Sequence, residues 1–419
     1  MAKKSQSEKV EHEGNSTRDE LTNSLADVVN KSMKDQGKVA FFLDEEDDPS
    51  QITDWISTGN DLLDLAISNR PNGGLPVGRI VELSGLEASG KSLIAAHALA
   101  STQKKGGVAV FIDTETAVSK EFLNAIGVNT KEMLYLNLDT VEDIFDSLET
   151  IVAQVRKVDK ERLVTIVVDS VAAASTKTEM EKDHGADGYA TQKAIALSKA
   201  MRKITVTMGK QRVLILFTNQ LRQKMGFVGF GDPWTTSGGK AIAFHSSVRI
   251  RLKSVGQIKD ASKEVVGIQT KAVIVKNRMG PPFRSATFNV LFDRGIDNYG
   301  NWIEFLIDNK IIRPLTKTDL KTEKVEKKKS KKELEAEMEA AKKEKSLCFD
   351  FVPDATAPDT TELVKFEKKD FINLITTRPE LREFLYGKIC ETFVMKYKDP
   401  DASLADELEV SQEGDGMEE

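Results

Sequence analysis

The sequence predicts an α/β protein with a central, mostly parallel sheet, and three observations carry that prediction. Apolar runs at 80–84, 108–112, 164–168, 213–218, 247–252 and 271–275 alternate, early in the series, with helical segments at 91–105, 141–158 and 190–209. Strand–helix alternation of this kind stacks parallel strands with helices on both faces. Gly85-Leu86-Glu87-Ala88-Ser89-Gly90-Lys91-Ser92 has the spacing G-x-x-x-x-G-K-[ST], between the apolar segment Arg79–Ser84 and the breaker-free Leu93–Ala100. Polar residues also follow directly on the apolar runs: Asp169 after 164–168, Asp113 and Glu115 after 108–112, and Gln220 just beyond 213–218.

The 419 residues suggest two or three domains, and a 40% hydrophobic content is enough for a sizeable core. A net charge of −6 excludes a uniformly basic nucleic-acid coat, so any such contact must come from a local patch. Two cysteines, Cys348 and Cys390, are too few for a disulfide scaffold or a zinc ribbon. No apolar run reaches transmembrane length and no signal-peptide core precedes the fold, so the expected location is the cytoplasm, with no membrane partner.

In chain order, residues 1–51 form a tail and a docking helix. The first 16 residues are polar and predicted to be disordered. Thr17-Arg18-Asp19-Glu20 then has capping-box spacing, and Leu21, Leu25, Val28, Val29 and Met33 share one helical face. That stripe needs a partner, either its own domain or a neighbouring subunit. An acidic loop at 43–50 leads into the core domain, 52–316, whose later, closely spaced strands predict hairpins on an antiparallel extension. Residues 317–346 form a Lys/Glu-dominated insertion or linker. Residues 347–398 read as a small helical module, with Phe366, Phe371, Ile372, Leu374, Leu381, Phe384, Leu385 and Ile389 as its apolar positions. The tail, 399–419, is acidic and predicted to be disordered.

The octapeptide is the phosphate-binding P-loop. Its glycines let the backbone wrap close to a polyphosphate, and the helix N-terminus behind it adds partial positive charge. Lys91 is expected to reach the β/γ-phosphates and the Ser92 hydroxyl to hold Mg²⁺. Asp169, an acid at the end of a buried strand, fits the Mg²⁺ shell beside Ser92. Hydrolysis needs a group that orients water, and either Asp113 or Glu115 lies near enough to its strand end for this. Gln220 suggests a γ-phosphate sensor. The stretch 221–240 that follows is long, glycine-rich and cationic, with Phe227, Phe230 and Trp234 interleaved; a second polar loop lies at about 179–192. Cations neutralise phosphates and apolar side chains stack on bases, so two such loops beside a nucleotide site predict single-stranded nucleic-acid binding.

Over residues 17–315 these pieces, in this order, resemble the bacterial RecA recombinases and their phage counterparts of the UvsX type. The most specific stretches are Ile56-Ser57-Thr58-Gly59, Gly74–Glu82, the P-loop, Phe111–Ala117, Val168–Ala173, Ala200–Lys203, Asn219-Gln220 and Thr235–Gly239. The resemblance implies a RecA-like P-loop ATPase core, an N-terminal polymerisation helix and a small C-terminal helical module. It implies Glu115, rather than Asp113, as the catalytic glutamate, Asp169 as the Walker-B acid and Gln220 as the nucleotide-to-DNA switch. Phe122 stands where the family stacks a tyrosine on adenine. Lys193, Arg202, Arg222, Lys224, Met225, Phe227, Phe230, Ser237, Gly238 and Gly239 fall in or beside the implied DNA-binding loops, Met225 as the residue wedged between base triplets. Lys276 and Arg278 match a cation pair that reaches the ATP of the adjacent protomer, and Phe244 matches a filament-interface aromatic, joining Leu21, Leu25 and Val28 as interface residues.

The chain departs from the family in three places. The first loop is one residue longer and offers Lys193 near an arginine position. The second loop also has an extra residue, with Trp234 where a glutamate is common. The 317–346 insertion is not typical of bacterial members. What the resemblance implies is an ATP- and Mg²⁺-dependent recombinase that forms helical filaments on single-stranded DNA and exchanges strands with double-stranded DNA, with single-strand-binding and mediator proteins as further partners. The acidic tail would compete electrostatically with the duplex. The alternatives are a hexameric helicase motor on the same core and a regulatory ATP-binding switch without strand exchange.

Overall fold

The computed structural model describes residues 20–36, 38–42, 51–181, 189–208, 211–224, 232–316, 346–353 and 361–397. The expected cap at Thr17–Asp19, the acidic loop 43–50, nearly all of the 317–346 insertion, the acidic tail, and Met225, Phe227 and Phe230 lie outside the described residues. The chain divides into two units, residues 1–52 and 53–419.

In the first unit the predicted helix is present as α1, Glu20–Ser32. Its apolar stripe is uncovered: Leu21 is 65%, Leu25 56% and Val28 59% exposed. The Asn30 side chain holds the segment after the helix, accepting from Val39 N and Ala40 N at 2.8 Å each.

The second unit is built on one large sheet. A two-stranded ribbon, β1 (Trp55–Ile56) and β2 (Leu75–Pro76), flanks α2 (Asp61–Ser68) ahead of it. The parallel strands are β3 (Ile80–Gly85), β4 (Val108–Asp113), β5 (Met133–Asn137), β6 (Val164–Asp169), β7 (Val213–Gln223) and β9 (Val248–Lys259), ordered β9-β3-β7-β6-β4-β5. From β9 outward β10 (Val265–Asn277), β11 (Ser285–Leu291) and β12 (Gly295–Asp297) pair antiparallel, as the closely spaced later strands predict. The short β8 (Trp234–Thr236) pairs only with the end of β7.

Two hydrophobic clusters cover the two faces. One packs α2, α3 (Lys91–Lys104) and α9 (Asn298–Asp308) on side chains such as Val81, Leu83, Phe111 and Leu216. The other packs α5 (Val141–Val158), α7 (Tyr189–Met208) and α8 (Ala241–His245) on Val110, Ile112, Ile166 and Phe217. Alternate residues of each strand serve opposite faces, which is why the central strands read as continuous apolar runs. The connections α4 (Lys120–Ile126) and α6 (Lys177–Glu181) are short. No described helix is long and apolar enough to cross a membrane.

The C-terminal module has the expected helices, α10 (Phe371–Thr377) and α11 (Pro379–Phe393), and also a three-stranded sheet of β13 (Arg313–Pro314), β14 (Leu347–Phe351) and β15 (Glu362–Phe366). It is therefore mixed rather than helical throughout. Leu347, Phe349 and Phe351 alternate toward the core, a period of two that the helical reading passed over. The module shares the core domain's hydrophobic cluster. Trp302 stacks on Tyr386 at 5.6 Å, its Nε1 donates to Asp61 Oδ2 at 3.0 Å, and the Arg284 guanidinium lies 4.2 Å from the Phe393 ring centroid. Ile372, by contrast, is 48% exposed.

One half-buried histidine ties α3 to the sheet's far edge. His97 Nε2 accepts from Ile296 N at 3.3 Å, and its ring lies between two positive-φ glycines, Gly59 and Gly295, where a Cβ on either would come within 2.7 Å of it. Burial first, and the nearby Lys104 second, push the imidazole down from 6.5 to about 4. Across that interval the unfolded chain binds a proton that the folded chain refuses, so this contribution to stability is complete above pH 6.5 and is lost as pH falls toward 4. Thermal denaturation between these limits should show a melting temperature that declines on acidification, and a smaller decline in His97→Gln. Equal slopes in the two proteins would remove His97 as the source.

Candidate nucleotide and nucleic-acid site

The P-loop joins β3 to α3, as the strand–turn–helix reading requires. Ser89 Oγ donates to Leu86 O at 2.7 Å, and Thr270 Oγ1, from β10, donates to Ser89 O at 3.4 Å. Lys91 Nζ donates to Leu86 O at 2.9 Å and to Gly85 O at 3.3 Å, so the ammonium folds back over the loop it serves. Burial lowers the Lys91 pKa, while Asp169, Glu115 and Glu87 pull it upward. Those three carboxylates mark the groups gathered round the ammonium.

Asp169 ends β6 next to the P-loop. Burial raises its pKa, and hydrogen bonds from Ser92 and then Thr218 oppose the rise. A hydroxyl and a carboxylate in direct contact are a hard-oxygen donor pair of the kind Mg²⁺ takes alongside phosphate oxygens. Ser92 and Asp169 thus fit the expected magnesium ligands. Thr218, which sequence reasoning did not single out, holds the carboxylate from the neighbouring strand.

Asp113 and Glu115 prove to be in different environments. Asp113 is buried, and its carboxylate accepts from the backbone N–H groups of Glu115 (3.0 Å), Ala117 (3.1 Å) and Val118 (3.3 Å) and from the Tyr135 hydroxyl (3.1 Å). It is spent on shaping the turn. Glu115 is exposed at the turn's tip, its Oε1 accepting from Ser170 Oγ at 2.6 Å. Phe122, 36% exposed, lies on α4 in the first turn after its Ser119 cap.

Gln220 lies within β7, which runs on past the sheet to Gln223 and pairs with β8 as Leu221↔Thr236, Arg222↔Thr235 and Gln223↔Trp234. The base of the glycine-rich stretch is thus a β-ribbon. Its return limb is pinned by Asp232, which forms an ion pair with Arg251 and accepts from Trp234 N at 3.1 Å. Lys224 Nζ donates to Asp232 O at 2.7 Å. Gly238 and Gly239 both have positive φ and pack on α7, where added Cβ atoms would meet Leu197 at 2.7 Å and Ala194 at 3.2 Å. Backbone and packing both demand glycine there. Lys193, near the start of α7, donates to Ala172 O at 2.8 Å and is close enough to Arg222 for the two charges to interact. Lys193, Arg222, Lys224, Ser237, Gly238 and Gly239 are therefore gathered at one place. Arg202 is not. It lies nine residues further along α7, about 13 Å, where its charge acts on His245.

Lys276 and Arg278 stand apart from the P-loop of their own chain. Lys276 pairs with Arg249, which pairs with Glu82, and Arg278 N bonds to Ser247 O beside Ile80. The P-loop leaves β3 at Gly85, at the other end, about 17 Å from Ile80 by strand rise. Lys276 Nζ donates to Ala243 O (3.0 Å) and Phe244 O (2.8 Å), closing the end of α8, while the Phe244 ring is 69% exposed.

The sequence profile of the RecA N-terminal domain matches residues 23–297. The chain is 41% identical over 264 residues to Protein RecA of Gluconobacter oxydans, covering 63% of this chain and 73% of that one. To Protein RecA of Paracoccus denitrificans it is 40% identical over 266 residues, 64% and 71% of the two chains. To that of Trichodesmium erythraeum it is 41% identical over 258 residues, 62% and 68%.

The two acids should separate in a stability measurement. Asp113→Ala, which strands buried backbone donors, should lower unfolding free energy by about 2–3 kcal/mol in urea titrations. Glu115→Gln, at an exposed position that keeps an acceptor for Ser170, should change it by less than about 0.5 kcal/mol. The reverse order would overturn the division of roles.

Proposed function

The chain belongs to the RecA family, and from that membership we propose how its residues divide the work of a DNA-dependent ATPase and strand-exchange recombinase. The relatives favour this function over the hexameric helicase, and family membership carries nucleotide binding with it. The finer reading is that the nucleotide is ATP with Mg²⁺, bound at a seam between two copies of the chain.

Lys91 and the P-loop amides bind the β/γ-phosphates, Lys91 exchanging its two carbonyl partners for phosphate oxygens. Ser92 and Asp169 would hold the magnesium ion, which when bound neutralises developing charge on the phosphates. Glu115 orients the attacking water and accepts its proton, held in place by Ser170. Phe122 offers a ring for the adenine. Gln220 reads the terminal phosphate from the strand that continues into the DNA loop. Lys193, Arg222, Lys224 and the amides around Gly238 and Gly239 bind the phosphates of single-stranded DNA, with Met225, Phe227 and Phe230 against the bases and Arg202 further along α7.

The observation that carries the seam is the distance between Lys276/Arg278 and the P-loop along β3. Within one chain Arg278 lies at the far end of β3 and the Lys276 ammonium is bonded to Ala243 O and Phe244 O, and a head-to-tail contact would let both meet the next chain's nucleotide. The exposed Phe244 and the stripe of Leu21, Leu25 and Val28 supply apolar surface for such a contact. Head-to-tail repetition without closure gives a helical filament. Double-stranded DNA is then the incoming partner, and single-strand-binding and mediator proteins act on the same filament.

Lys91→Ala should abolish nucleotide-dependent filaments, seen by electron microscopy with single-stranded DNA. Glu115→Gln should keep nucleotide and DNA binding while turnover drops about a hundredfold or more. In an equimolar mixture of Lys91→Ala with the double variant Lys276→Ala/Arg278→Ala, about a quarter of seams regain both halves. DNA-stimulated hydrolysis should therefore reappear where each protein alone has none. No recovery on mixing would sink the shared site.

A further inference from the structure

A fully buried carboxylate sits in the middle of β3, where its neighbours Val81 and Leu83 are apolar. Glu82 is 0% exposed, and its two oxygens are taken by different strands. Oε2 accepts from Arg249 Nε of β9, and Oε1 accepts from Asn219 Nδ2 of β7 at 3.0 Å. The same Asn219 amide nitrogen donates its second hydrogen to Ser237 O at 3.1 Å, on the return limb of the glycine-rich loop. Asn219 is also 0% exposed and immediately precedes Gln220. At the other end, Arg249 is the cross-strand partner of Lys276.

Replacing a buried ion pair by apolar residues of similar volume is often neutral or stabilising, so stability alone is a weak reason for placing one here. What the arrangement achieves is connection. A continuous line of hydrogen bonds runs from Arg249, the strand neighbour of Lys276, through Glu82 and Asn219 to Ser237 on the return limb of the loop. Asn219 Oδ1 and Ser237 Oγ are buried and accept no hydrogen bond from the described residues. The network therefore has acceptor capacity left for a second arrangement of Gln220 and the loop. Buried polar networks are stiff when satisfied and are bistable where partners can be exchanged.

We propose that Asn219, backed by the Glu82–Arg249 ion pair, is a positioning residue that couples nucleotide occupancy to the grip on single-stranded DNA, by fixing the return limb of the loop at Ser237 relative to Gln220. The proposal rests on the reading of Gln220 as the phosphate sensor and of the loop as DNA-binding. Asn219 touches neither ligand in this role; it acts through Ser237 and Gln220.

The test is a ratio. Affinity for a fluorescent oligothymidylate is measured by anisotropy with and without a slowly hydrolysed ATP analogue, and the tightening caused by the analogue is the coupling. Affinity for a fluorescent nucleotide and the melting temperature are measured alongside. In Asn219→Ala the tightening should shrink about tenfold, equivalent to about 1.4 kcal/mol, while nucleotide affinity stays within about twofold. A folded Asn219→Ala that keeps the full tightening overturns the proposal, even if its melting temperature falls, because a purely structural amide moves stability and not the ratio. Glu82→Gln preserves size and an acceptor for Asn219 but removes the charge facing Arg249. Its tightening should shrink about threefold, and it decides the matter if Asn219→Ala does not fold. Full tightening in that variant likewise overturns the proposal. Gln220→Ala is the reference: if it too keeps full tightening, the sensor reading itself fails, and if only it loses coupling, the sensor stands and the Asn219 network falls.

Discussion

The register of three adjacent strands governs the rest of the molecule. Because β9 runs parallel to β3, and β10 antiparallel to β9, the chain returns to the start of β3 at the moment it delivers Lys276 and Arg278. The P-loop forms where β3 ends. One sheet thus carries a phosphate cradle on one edge and a cation pair on the opposite edge, too far apart to serve the same phosphate. Under the proposed function, such a protein would complete its site by repeating itself in space, and catalysis and assembly would be one equilibrium, since whatever fills the cradle would also contribute to the contact between neighbours.

Much of this was legible in the sequence because the residues concerned obey local rules. The P-loop is a short spacing with fixed flanks. Asp169 and Gln220 stand within β6 and β7, just past the buried apolar runs that announce them. The parallel core could be read from alternation alone. β5 could not: Met133–Asn137 is an edge strand with three of its five residues exposed, so it lacks a continuous apolar run. The two strands of the C-terminal module were hidden by helix-like apolar spacing further along. Residues whose importance is a matter of contact were also out of reach. Nothing in Val-Glu-Leu around Glu82 says that its carboxylate is buried, and nothing near Thr218 or Thr270 says that the first supports Asp169 from the adjacent strand and the second supports Ser89 from β10, two strands from β3. By position at the strand end alone, Asp113 and Glu115 were equivalent, and only the family resemblance favoured Glu115. The fold separated them by turning one toward backbone amides and the other toward solvent.

The base of the glycine-rich stretch is fixed on several sides. Its two limbs are paired, Asp232 pins one of them to β9, and the glycine pair is pressed against α7. The return limb is also tied to β7, where Asn219 Nδ2 donates to Ser237 O. Lys193 and Lys224 are held by the backbone carbonyls of Ala172 and Asp232. If they bind DNA as proposed, an incoming phosphate backbone would exchange these partners rather than organise loose side chains, which would lower the ordering entropy of binding.

The pairing of β13 with β14 has a different consequence. Pro314 lies opposite Leu347, and Leu315 N bonds to Ser346 O, so the described residues on either side of 317–345 stand side by side. The free energy of closing a connection between such ends rises only with the logarithm of its length, by about 0.6 kcal/mol per doubling. That position is a natural port: a reporter domain or an affinity handle grafted between Thr316 and Ser346 would leave both the sheet and the terminal module as they are.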